Sequence, residues 1–149
     1  VKKLIDKTKN VKFDIYGINK VQPIWADHYF KTISNSKMGL NLSRGEPIKY
    51  YSSDRITQII GNGLVTLIDE KTGYQDFFNN NEMVFYKNVD DLSEKISRIS
   101  QDEKLRKKIG RRGRDKYLKY FNSTVVADFI LNKTFDLKLK NKYLWSSEK

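Results

Sequence analysis

The stretch Ser52–Glu70, SSDRITQIIGNGLVTLIDE, constrains the fold more than any other part of this chain. It reads as a polar helix start, one short helix, a Gly-Asn-Gly turn and a buried strand. That order puts Arg55 and Gln58 on adjacent turns of the helix. Gly61 and Gly63 flank Asn62 and end the helix in a left-handed conformation. They let its end pack closely against the strand that follows.

The same alternation of strand and helix extends to either side. Val1–Lys9 reads as the tail of a helix with Leu4 and Ile5 inward. Val11–Tyr16 (VKFDIY) alternates Val11, Phe13 and Ile15 with polar neighbours and stops at Gly17, the pattern of a strand and a turn. From Pro23 onward, Ile24, Trp25, Tyr29, Phe30 and Ile33 recur at helical spacing. Met38–Ser43, Leu64–Ile68 and Met83–Tyr86 read as further strands. Thr72–Asn81 reads as a loop with an apolar turn at Phe77–Phe78. Beyond Asn88 the pattern is helical only. Asn88 caps a first helix with Leu92, Ile96 and Ile99 on one face, and Asp90 and Asp91 in its first turn. Asp102 caps a second, with Leu105 and Ile109 inward. Asn122 or Ser123 caps a third, with Val126, Phe129 and Ile130 inward. Strands alternating with helices predict an α/β domain, a Rossmann-like parallel sheet with helices on both faces. Residues 1–137 form that domain and residues 138–149 a basic tail carrying an isolated Trp145, which something is expected to cover.

Composition limits the chemistry. The 149 residues hold no cysteine and one histidine, His28, so thiolate sites and multi-histidine metal clusters are excluded. The formal net charge of +11 points to anionic partners: nucleic acid, an anionic membrane surface or phosphorylated ligands. No run approaches the ~20 apolar residues that span a bilayer. The opening VKKLIDKTKN is charged and resembles no secretion signal. The expectation is a piece of a longer cytoplasmic protein. The Asn122-Ser-Thr and Asn132-Lys-Thr sequons carry no meaning without secretion. The matches of Ser34–Lys37 and Lys71–Gly73 to penicillin-recognising motifs are chance.

In a parallel sheet, ligands sit beyond the carboxyl ends of the strands. The loops after Gly17 and Ser43, the turn around Lys71–Tyr74 and the helix start at Ser52–Arg55 share that edge. Helix-start amides at Ser52, Ser53 and Asp54, with the Arg55 guanidinium, suit a diphosphate, although an ordinary cap beside a surface arginine has the same sequence. Gln58 can bond a ribose hydroxyl or lie exposed. Arg44 can reach a phosphate or a base. Gly73, next to Tyr74, lets backbone amides approach a ligand or makes a plain turn. His28 reads as a partly buried structural histidine. Arg111, Arg112, Arg114 and Lys116 read as the solvated face of a helix, or one resting on anionic lipid.

With those residues in view, the chain resembles the C-terminal, donor-binding domain of GT-B glycosyltransferases of the group 1-like family. The resemblance covers roughly Val11 to Phe135: FDIYG, SKMGLNLSR, RITQIIGNGLVTLID, TGYQDFF, EMVFYKN, DDLSEKI and DEKLRKKIGRRGR, in that order. It implies a domain that holds a nucleotide-sugar donor. Arg55 and the nearby loops face the diphosphate, and Gly17 lies at the loop facing the domain cleft. Donor-binding residues on this view are Gly17, Arg44, Ser53, Arg55, Gln58, Gly73 and Tyr74. The family's usual ribose-binding glutamate is Gln58 here, and a second glutamate found eight residues earlier in some relatives is Tyr50. Catalytic base and acceptor site would come largely from an N-terminal domain outside this chain, so the fragment alone is expected to be inactive. No bound metal or cofactor is expected. The implied reaction moves a sugar from a nucleotide-diphosphate sugar to a glycan or lipid-linked acceptor, as in building bacterial cell-surface polysaccharide or lipopolysaccharide. The setting is cytoplasmic, including the inner face of the membrane.

Two other readings compete. One is a non-catalytic basic α/β module that binds nucleic acid or an anionic surface; salt dependence separates it from a nucleotide pocket, and no nucleic-acid-reading motif supports it. The other is a degenerate transferase domain in which Gln58 marks lost donor binding.

Overall fold

Three short strands, β1 (Met38–Asn41), β2 (Val65–Asp69) and β3 (Val84–Tyr86), make one parallel sheet in the order β1-β2-β3. The computed structural model describes residues 1–18, 20–43, 45–138, 141 and 143–146. Its helices are α1 (Lys2–Lys7), α2 (Ala26–Asn35), α3 (Asp54–Gly61), α4 (Val89–Gln101), α5 (Glu103–Tyr120) and α6 (Ser123–Thr134). Gly39 lies opposite Thr66 and Leu40 opposite Leu67, while Leu67 lies opposite Val84 and Asp69 opposite Tyr86.

The period-2 alternation of the strands divides the core. Val65, Leu67, Val84 and Tyr86 pack on one face with Leu4 of α1, Leu92, Ile96 and Ile99 of α4, and Ile109 of α5. Ile68, Met83 and Phe85 pack on the other face with Ile56 and Ile60 of α3, and with Tyr74 and Phe78. Helices therefore cover both faces, as the alternating pattern implies. The last three helices begin at side-chain caps. Asn88 accepts from the amides of Asp90 and Asp91, both at 3.0 Å. Asp102 accepts from Leu105 at 2.8 Å, and Asn122 from Val125 at 3.0 Å.

α5 decides which end of the sheet stays open. Its Leu105 and Ile109 join the first core layer, and its Tyr117 joins the second, so the helix passes beneath the sheet. Gly110 faces the carbonyl of Gly63 just before β2, and Gly113 faces the carbonyl of Glu82 just before β3. Lys116 then donates to Glu82 at 2.8 Å. The strand starts are thus covered by α5, and the carboxyl ends are left to loops.

Several expectations are corrected. Val11–Tyr16 is not part of the sheet. Its alternation survives as burial, with Val11, Phe13 and Ile15 half-buried between exposed neighbours. Val11 and Phe13 pack against the first core layer, so their apolar surface is covered without a ladder, and a groove lined by Val11, Phe13, Met38 and Leu40 separates this segment from β1. On α2, Trp25 at its start is 70% exposed and Phe30 is 64% exposed. The apolar stripe is half-buried at Ile24, Tyr29 and Ile33 and exposed at Trp25 and Phe30. His28 is exposed as well, its ring 6.0 Å from that of Tyr16. Val126 and Ile130 of α6 face outward, and its buried residue is Asn132. Gly63 takes the left-handed conformation (φ +75°), whereas Gly61 stays within α3. Trp145 is not isolated: its ring lies 5.5 Å from Phe121, 5.7 Å from Phe129 and 5.6 Å from Tyr143, whose hydroxyl bonds Asp128.

Two stability predictions arise from this packing. Thr66, in the middle strand, is fully buried, and its hydroxyl has no hydrogen-bond partner among the described residues. An unpaired buried hydroxyl costs about 1–3 kcal/mol, so Thr66→Val is expected to raise unfolding free energy by about 1 kcal/mol in a urea titration. Asp91 gives a pH signature. Burial by itself would raise its carboxyl pKa. The Lys95 ammonium at 2.8 Å and the Lys87 amide at 2.9 Å outweigh burial and hold it below the usual value. A depressed folded pKa contributes stability above the unfolded value and loses it as pH falls through the folded one. The stability difference between the native chain and Asp91→Asn should therefore be largest near neutral pH and vanish in acid.

Candidate functional site

Because the strands are parallel, Asn41, Asp69 and Tyr86 end at one edge. Three connections leave it: residues 42–53 leading into α3, the short helical turns Glu70–Thr72 and Tyr74–Asp76, and Lys87–Asn88 ahead of α4.

α3 starts where the first connection returns to the sheet. Ser53 is its cap residue, in an extended conformation (φ −109°, ψ 156°), but its side chain does not cap. The hydroxyl instead donates to the Oδ1 of Asn41 at 3.2 Å, pinning the helix start to the end of β1. The leading amides of α3 therefore lack a side-chain acceptor, and they carry the positive end of the helix dipole. Asp54 is the acidic residue in that first turn.

Arg55 is exposed, and its Nη1 donates to the Leu42 carbonyl at 2.9 Å. One guanidinium donor is spent on the main chain, which fixes the group beside the end of β1 and leaves other donors free to point outward. Tyr29 of α2 lies within the electrostatic reach of Arg55. Burial pushes the Tyr29 hydroxyl pKa up, and the guanidinium works against that rise. Gln58 is half-buried one turn further on, and its side-chain amide makes no hydrogen bond among the described residues. Its carbonyl accepts from the Asn62 side chain at 2.7 Å.

The turn after β2 meets this group from the other side. Asp69 accepts from the Lys71 amide at 2.9 Å and so starts the turn. Gly73 takes φ +71°, so glycine is needed for conformation, and a Cβ there would come 3.0 Å from the side chains of both Lys49 and Tyr50. Tyr74 is buried, with its ring in the second core layer. Burial raises its hydroxyl pKa, and a hydrogen bond with Ser52 opposes the rise. The same hydroxyl donates to the Tyr51 carbonyl at 3.4 Å.

The structure thus brings Ser53, Arg55, Gly73 and Tyr74 to one edge, while Gln58 lies one turn further along α3. Gly17 lies in an exposed turn at φ +75°, its amide donating to the Val21 carbonyl at 3.1 Å. Arg44 lies outside the described residues. Sequence reasoning missed Asn41 and the clasp made by Tyr50. The polar end of MGLNLS was a visible signal for the first; nothing local marked the second. Arg111, Arg112 and Arg114 are exposed on α5, away from this edge, with Arg111 paired to Asp115 at 3.7 Å. Among the described residues no group of His, Asp or Glu is placed to hold a metal, and no helix is long and apolar enough to cross a membrane.

A family model described as glycosyl transferase-like matches residues 1–132. Comparisons with curated proteins and with solved structures gave no match.

Proposed function

The chain belongs to the glycosyl transferase-like family, and from that premise we propose that its open sheet edge binds the nucleoside diphosphate of a nucleotide-sugar donor. The observation that carries the reading is the start of α3. Its cap side chain is engaged with Asn41, its first amides have no side-chain cap, and the Arg55 guanidinium is tethered to the Leu42 carbonyl. Helix-start amides together with an arginine form an anion site of the kind a diphosphate needs.

The chemistry follows. As the sugar leaves its carrier, negative charge grows on the departing diphosphate. Donors already held in place stabilise that charge without reorganising. Arg55, fixed by its bond to the main chain, supplies the positive charge, and the amides of Asp54 and Arg55 supply N–H donors. Gln58 offers its amide to a ribose hydroxyl. The sugar then passes to a glycan or lipid-linked acceptor, with the base and acceptor groups contributed by a partner domain.

A calorimetric titration of the chain with UDP, GDP, ADP and CMP at two salt concentrations tests this reading. Saturable binding of one nucleotide with a shallow salt dependence is expected. Preference for polyanions without base selection, weakening steeply with salt, would instead mark a basic surface centred on residues such as Arg111, Arg112 and Arg114.

A further inference from the structure

We propose that Tyr50 is a positioning residue: it clasps the loop ahead of α3 onto the turn after β2, and so holds the first turn of α3 in place for the diphosphate. The inference rests on the donor-site reading above.

Tyr50 sits at φ +61°, a left-handed conformation that glycine or asparagine adopts readily and a bulky aromatic residue does not. Strain of this kind persists only where surrounding contacts over-determine it. Here they do. The Tyr50 amide donates to the Thr72 carbonyl at 2.8 Å. Its hydroxyl donates to Asp76. Its ring lies 5.0 Å from that of Phe77, which packs against the second core layer. The Lys49 ammonium stands 4.6 Å over the Tyr50 ring and 3.8 Å from the Asp76 carboxylate. Gly73 leaves the room this requires, since a side chain there would press on both Lys49 and Tyr50.

The clasp has a consequence for α3. The described residues of the stretch 42–53 are mostly exposed and lie in no strand or helix. Unrestrained, such a loop would let the helix start wander. It is held near β1 by Ser53 on Asn41 and by Arg55 on Leu42. Tyr50 supplies the hold on the other side, and the bond from Tyr74 to the Tyr51 carbonyl extends it by one residue. Both ends of the approach to Asp54 are then fixed. Amides and guanidinium fixed before binding avoid the ordering cost that a mobile loop would incur.

The test compares the native chain with Tyr50→Phe and Tyr50→Gly by amide hydrogen exchange and by titration with the nucleoside diphosphate that binds best. Tyr50→Gly suits the backbone conformation and removes every side-chain contact; Tyr50→Phe removes only the bond to Asp76. In Tyr50→Gly, exchange at residues 50–55 should quicken about tenfold, and affinity should fall about five- to tenfold, at a nearly unchanged melting temperature. Tyr50→Phe should lie between the two. Faster exchange with unchanged affinity would overturn the positioning role while leaving the donor reading intact. Unchanged exchange would overturn the clasp itself. Absence of nucleotide binding by the native chain would overturn the donor reading, and the positioning role with it.

Discussion

Gly110→Ala should lower the unfolding free energy by about 2–3 kcal/mol, one of the largest losses expected from any single methyl group in this chain. Alanine is the better helix former, by about 1 kcal/mol in a helix interior, so a sequence-level argument predicts the opposite sign. The structure reverses it. A Cβ on Gly110 would overlap the carbonyl oxygen of Gly63, and one on Gly113 would overlap that of Glu82. Both obstacles are main chain at the entry to a buried strand, so neither can rotate aside. α5 would have to lift from the sheet, uncovering Ile109 and the apolar residues beneath it. Gly61→Ala is the internal control. It lies in α3 at an ordinary helical conformation with open space around it, and it should stabilise by about 0.5–1 kcal/mol. Urea unfolding of the two variants should therefore move in opposite directions. Equal shifts would mean that α5 does not approach the sheet as closely as described.

Arg55→Ala should weaken binding of the preferred nucleoside diphosphate about 10- to 100-fold, the loss of about 1.5–3 kcal/mol expected for a charge-assisted hydrogen bond. The side chain is exposed, so the effect on stability should be small, within about 0.5 kcal/mol. In the native chain the bond to the Leu42 carbonyl keeps the guanidinium at the end of β1, and its remaining donors are proposed to meet the diphosphate. Arg55→Lys keeps the charge but not the fork, and should recover only part of the affinity. Calorimetric titration of both variants checks this. Unchanged affinity in Arg55→Ala would remove the arginine from the site and favour a domain that has lost donor binding, as the presence of Gln58 in place of a glutamate would then suggest.

The parts of the fold that local chemistry dictates were legible in the sequence. Asn88, Asp102 and Asn122 announce helix starts because a short polar side chain bonds amides two or three residues ahead, which needs no tertiary context. Leu92, Ile96 and Ile99 mark a buried face because α4 has a single apolar stripe. What depends on distant partners was not legible. Val11–Tyr16 has the alternation of a strand, but alternation reports burial on one side and not a ladder. Trp25, Phe30, Val126 and Ile130 have helical spacing, yet spacing cannot say which side of a helix the sheet occupies. Gly110 and Gly113 were hidden in a basic run that reads as a solvated face, although their role is close approach to Gly63 and Glu82. At the candidate site, Arg55 and Gln58 followed from the helix they share. The engagement of Ser53 with Asn41 and the left-handed Tyr50 did not, because each joins segments far apart in the chain.

Mapping where a nucleotide binds separates a donor site at the sheet edge from a basic surface on α5. Backbone amide shifts of the isotopically labelled chain would be followed while UDP, GDP, ADP or CMP is added. Saturable shifts from at least one nucleotide are expected, concentrated at Asn41–Leu42, at Ser53–Gln58 and at Gly73–Tyr74. Shifts confined to the exposed face of α5 around Arg111–Arg114, or no shift with any of the four, would contradict a donor site at the sheet edge.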